Sequence, residues 1–97
     1  MEFKYKPYKL GDDLFNLGGE HYLFKFKNNY GASVICKKGS FGFEKGLYEL
    51  LPIYWDNGIY WDNGNYSHYS EPIGFLSVNE VNEALSKINE IKTSKII

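Results

Sequence analysis

Only one stretch of this 97-residue chain carries the period of an amphipathic helix, and it lies near the C-terminal end. Val78, Val81, Leu85, Ile88 and Ile91 recur at spacings of three and four, which puts them on one apolar stripe. Asn82, Glu83, Lys87 and Glu90 fall mainly elsewhere on the surface. Ser77 and Glu80 precede the stripe as a capping box, in which the serine accepts the N3 amide and the glutamate reaches back. These features predict a helix over residues 77–92. A lone helical stripe must be buried against another element that is apolar on one side, and the pattern upstream is that of strands.

Residues 20–27 alternate, with Tyr22, Phe24 and Phe26 on one face and Lys25 and Lys27 on the other. Asn28-Asn29-Tyr30-Gly31 reads as a hairpin turn, because Asn tolerates and Gly readily adopts left-handed φ. The return strand runs from Ala32 to Lys37, with Ala32, Val34 and Cys36 sharing a face. A third strand begins at Leu47, where Pro52 implies an edge or a bulge. Phe3 and Tyr5 alternate with Lys4 and Lys6, which suggests a short edge strand within residues 2–10. The predicted fold is a single α+β domain spanning residues 1–97. An N-terminal strand and loop (1–19) precede an antiparallel sheet of four or five strands (20–76), and the C-terminal helix (77–92) packs on one face.

The most unusual feature is a tandem hexapeptide. Tyr54-Trp55-Asp56-Asn57-Gly58-Ile59 is followed by Tyr60-Trp61-Asp62-Asn63-Gly64-Asn65. Each copy sets Asp-Asn-Gly after aromatics, a hairpin-turn signal. A six-residue slip preserves side-chain parity, so either copy could form the turn with the same faces buried. One copy is expected to make the reversal and the other to extend it. With Tyr66 and Tyr69 nearby, alternation cannot bury all these aromatics against one helix. Two readings stay open: cross-strand aromatic pairs in a lengthened hairpin, or an exposed docking surface. For a partner-binding surface the candidate residues are Tyr54, Trp55, Asp56, Tyr60, Trp61, Asp62 and Tyr66. Phe41 and Phe43 join them from the glycine-spaced segment 38–46.

Composition narrows the function classes. Eleven Lys or Arg residues, all of them lysine, stand against 12 Asp or Glu, for a net charge of −1. With no arginine and no basic excess, the chain disfavours duplex nucleic acid as a partner. No apolar run reaches membrane-spanning length and the N-terminus lacks a signal-peptide core, so a cytoplasmic protein without membrane contact is expected.

Catalytic and metal motifs are equally sparse. Cys36 is the single cysteine, and hairpin pairing could bring His21 towards it, but a small buried hydrophobe is the expected role. The Asp-Asn-Gly segments lack the remaining ligands of a calcium loop. Gly39, Gly42 and Gly46 do not open a helix through Gly-Lys-Ser/Thr as a phosphate loop would. No catalytic residue, metal or cofactor is expected, and the chain is not expected to be an enzyme.

Three segments together resemble a family of small uncharacterised phage and prophage proteins. They are Asn29-Tyr30-Gly31-Ala32-Ser33-Val34, the run from Gly39 through Gly46-Leu47-Tyr48-Glu49-Leu50, and Ile73-Gly74-Phe75-Leu76-Ser77 ahead of a terminal helix. The duplicated hexapeptide departs from that pattern. The resemblance implies a phage-encoded protein acting in the host cytoplasm, binding an unidentified host protein. Inhibition of a defence system, in the manner of anti-CRISPR or anti-restriction proteins, is the role it suggests. The alternative is a small-ligand domain with an aromatic-lined pocket for a nucleotide or sugar. A homodimer is also left open.

Overall fold

The computed structural model describes residues 3–11, 18–56, 59–62 and 72–91, with the backbone alone described for 59–62. Six strands and one helix occur among them: β1 (Lys9–Leu10), β2 (Glu20–Lys25), β3 (Tyr30–Cys36), β4 (Tyr48–Asp56), β5 (Ile59–Asp62), β6 (Ile73–Leu76) and α1 (Val78–Asn89). Every pairing is antiparallel, and β1 to β5 lie side by side in chain order. The α+β sheet with a single packed helix is thus the fold of this chain.

The pairing Phe24↔Ala32 and Ala32↔Pro52 brings one parity of β2, β3 and β4 onto a common face. Phe24, Val34 and Leu50 from that face are fully buried, as are Val81, Leu85 and Ile88 of α1, and they form one core. Each large apolar side chain so buried contributes about 1.5–3 kcal/mol. The capping box forms as expected: Ser77 Oγ accepts from the Glu80 amide at 3.2 Å, and Glu80 accepts from the Ser77 amide at 2.9 Å.

The β2–β3 connection shows how the other end of α1 is held. Asn29 N–H bonds to Phe26 O and Phe26 N–H to Tyr30 O, with Asn29 at φ 71, a tight turn closed by one left-handed residue. This turn projects Asn28 onto the last turn of the helix. Its Nδ2 lies 3.0, 3.3 and 2.8 Å from the carbonyls of Ile88, Asn89 and Ile91, while its Oδ1 accepts the Tyr30 amide at 2.9 Å. Helix C-terminal carbonyls lack partners within the helix, so a loop side chain supplies donors that would otherwise come from water.

Two expectations need amendment, and a third is narrowed to one of its alternatives. The alternating segment 3–6 does not join the sheet, since only Lys9–Leu10 pairs with β2. Phe3 and Tyr5 pack on the helix-covered core instead, and the Lys4 amide donates to Asn82 Oδ1 at 2.8 Å. Pro52 occupies neither an outer strand nor a bulge; it is buried in the middle of β4. The Trp55 amide donates to Asn29 O, so alternation turns the amide positions of 51 and 53 towards β3 and that of 52 away. On that other side β5 ends opposite Ile53 and β6 begins opposite Leu50, leaving position 52 at the junction, where no donor is needed. The hexapeptide resolves in favour of its first copy. Asp56 pairs with Ile59, so the two strands join within the first copy; Asn57 and Gly58 lie outside the described residues. Of the second copy, Tyr60, Trp61 and Asp62 extend β5.

The Asn28 contact is testable by substitution. Asn28→Ala should lower unfolding stability by about 1–3 kcal/mol in urea titrations, through loss of the bonds its side chain makes to the helix carbonyls and the Tyr30 amide. Ser77→Ala at the opposite end should cost about 1 kcal/mol. A neutral Asn28→Ala variant would show that solvent caps the helix equally well.

Candidate functional site

The predicted aromatic surface divides into three parts. Trp55 is 2 % exposed and lies on the sheet face away from α1, in a second core with Leu23 and Ile53. Its Nε1 donates to Phe24 O at 2.9 Å, reaching across β3 over Gly31, where an added Cβ would collide with that same carbonyl. Tyr8 stacks edge-on against the indole at 5.1 Å between centroids. Trp55 is therefore core, not docking surface, and an alanine there would open a cavity in the fold. Tyr54 is half-buried against the helix-covered core and stacks on Tyr30. Asp56 is exposed. The side chains of Tyr60, Trp61 and Asp62, and all of Tyr66, lie outside the described residues.

Phe41 and Phe43 fare differently. They are 59 % and 37 % exposed, and Phe75, absent from the expected set, lies with them at 55 %. Together with Lys38, Glu44 and Lys45 they line a surface hollow of about 390 Å³. Chain geometry explains the meeting. Ser40 Oγ accepts the Lys37 amide and donates to the Lys37 carbonyl, and Phe43–Lys45 forms one 3-10 turn between Gly42 and Gly46. The Phe41 amide donates to Glu49 Oε1 at 2.8 Å, and the Phe41 carbonyl accepts the Phe75 amide at 3.3 Å. Gly74 lets β6 approach: an added Cβ would overlap the Phe41 side chain. The loop is thus held in place by its own hydrogen bonds. The glycine spacing serves turns and close approach.

Phe75 itself sits at φ 60, a left-handed backbone that bulky side chains rarely adopt. Such a conformation costs of order 1–3 kcal/mol, and here it presents a half-exposed aromatic ring to solvent. No sequence pattern reveals it, because Ile73-Gly74-Phe75-Leu76 reads as an ordinary strand entering a helix.

Cys36 and His21 are not brought together, and His68 lies outside the described residues. His21 pairs with Ile35 and Glu20 with Cys36, so His21 and Cys36 fall on opposite faces of the sheet. His21 Nε2 instead contacts Ser33 Oγ at 2.9 Å. Burial, reinforced by the Glu20 charge, raises the Cys36 pKa and keeps the thiol neutral. Among the described residues no three His, Cys, Asp or Glu side chains group closely enough to hold a metal ion. No helix among them is long and apolar enough to cross a membrane.

Glu20 organises a polar cluster on the helix side of the sheet. Its Oε1 accepts from Tyr22 Oη at 2.9 Å and from Tyr48 Oη at 2.8 Å. The Glu20 hydrogen bond and charge, with burial, raise the Tyr22 pKa; burial first, then the same hydrogen bond, raises that of Tyr48 further.

Comparison with known proteins adds no relative: no family model, no curated protein and no solved structure matches the chain.

Two measurements follow from this geometry. Phe75→Asn, which tolerates left-handed φ, should leave stability unchanged or raise it by about 0.5–1 kcal/mol. A loss above about 1 kcal/mol would make the ring a structural element. The raised Tyr48 pKa means that the folded state favours the neutral phenol, so its stabilisation is complete below pH 10.0 and is lost as pH rises beyond it. Urea midpoints should therefore fall above about pH 10, and less steeply in Tyr48→Phe.

Proposed function

We propose that this protein is a protein-binding module that docks through Phe41, Phe43 and Phe75. The observation that carries this reading is the joint exposure of three phenylalanines on a braced loop and a strained strand position. Exposing apolar rings and holding one of them at unfavourable φ both oppose folding, and strain of this kind clusters at binding and switch sites. Aromatic anchors in a preformed surface dominate interface energetics, while a charged rim excludes competing partners. Lys38, Glu44 and Lys45 supply that rim.

The resemblance to phage-encoded proteins supports a host protein as the partner, met in the host cytoplasm, with inhibition of a defence component as the biological consequence. Affinity capture from host cells with mass spectrometry, followed by titration of the purified partner, tests this. Phe41→Ala and Phe75→Asn should each weaken binding by about tenfold or more, equivalent to about 1.4 kcal/mol, with the fold retained. Leu10→Ser, an exposed apolar position outside the patch, should leave affinity unchanged. Equal affinities across all three variants would remove the patch from the interface.

A further inference from the structure

A second hollow, of about 460 Å³, lies between the N-terminal segment and the β2–β4 part of the sheet, and Phe3, Tyr5, Tyr22 and Tyr48 contribute to its walls. It shares no residue with the phenylalanine patch. At its edge is the Glu20 carboxylate, exposed to solvent yet held by two phenol donors on the same oxygen. An exposed glutamate ordinarily keeps its rotamer freedom, so two tyrosines fixing it create a preorganised acceptor. Its second oxygen, Oε2, makes no hydrogen bond to the described residues and remains available.

Charge selects the ligand class. A phosphate-bearing ligand would be drawn by Lys4 and Lys6 but would meet the Glu20 carboxylate at the acceptor that the tyrosines hold in place, which repels it. An organic cation, which aromatic walls otherwise favour, would meet Lys4 and Lys6 lining the same space. Lys4 Nζ is directed to Ser86 Oγ at 3.4 Å, and Lys6 is exposed. What suits a fixed carboxylate oxygen, flanking ammonium donors and aromatic walls is a neutral molecule with hydroxyl groups on its rim and a C–H face. We infer that this hollow binds a neutral saccharide, with adjacent hydroxyls donating to Oε2 of Glu20 and the sugar's apolar face against the aromatic wall.

Saturation-transfer NMR on the intact protein, with glucose, galactose, mannose and N-acetylglucosamine offered separately, tests the assignment. Adenosine monophosphate and tetramethylammonium serve as the charged comparisons. At least one neutral sugar should receive saturation and titrate with millimolar affinity, perturbing the amides of Glu20, Tyr22 and Tyr48. Glu20→Gln should weaken that affinity by about tenfold at an unchanged melting temperature, and Tyr48→Phe, which keeps the ring but frees the carboxylate, by several-fold. If Glu20→Gln does not fold, Tyr48→Phe decides, and undiminished affinity in it overturns the proposal. Silence from all four sugars, stronger binding of either charged probe, or a sugar response unchanged in folded Glu20→Gln overturns it too.

Discussion

The contact on which the rest of this structure depends is between Val81, Leu85 and Ile88 of α1 and the face built from Phe24, Val34 and Leu50. A chain of 97 residues has little interior, so one helix laid across the central strands must supply much of it. The contact requires the helix to end where the β2–β3 turn can meet it. Asn28 makes that junction by offering its amide to the final carbonyls while satisfying the amide of Tyr30. Hydrophobic area provides the attraction, and the polar clamp fixes where the helix stops.

With one helix among the described residues, the opposite face of the sheet needs another solution. Trp55 fills that role by lying across β3 above Gly31 and bonding to the Phe24 carbonyl, with Tyr8 stacked on it. The aromatic richness that looks like a surface for partners is therefore spent partly inside the molecule. The rings left outside are those of the 38–46 loop and β6, where no packing rule demands a phenylalanine and one backbone position opposes it. Their exposure is the ground of the proposed docking role.

Legibility in the sequence followed the range of the interactions involved. The helix, its capping box and the β2–β3 hairpin could be read directly, because each is set by residues within a few positions of one another. Phe41 and Phe43 were legible as candidates because their glycine-spaced segment had no place in a strand. Phe75 was not, since its left-handed φ accompanies an amide bonded to the Phe41 carbonyl, a contact remote in sequence. Pro52 and the Phe3–Tyr5 alternation misled for a related reason: local pattern registers burial but not which neighbour provides it. Pro52 avoids a lost hydrogen bond only because β5 and β6 divide one edge of β4.

The residues by themselves determined the class of fold, the position and start of the helix, the facing of Tyr22, Phe24, Ala32 and Val34, and the lack of any recognisable ligand spacing for a metal. Periodicity and turn chemistry are local properties, and they act before the chain has collapsed. Tertiary structure decided that Trp55 is core, that His21 and Cys36 are separated by the sheet, that Phe75 completes a patch with Phe41 and Phe43, and that two tyrosines converge on Glu20. Each of these depends on register between strands remote in sequence. Register is set by the combined burial of many side chains, and no single motif carries that information.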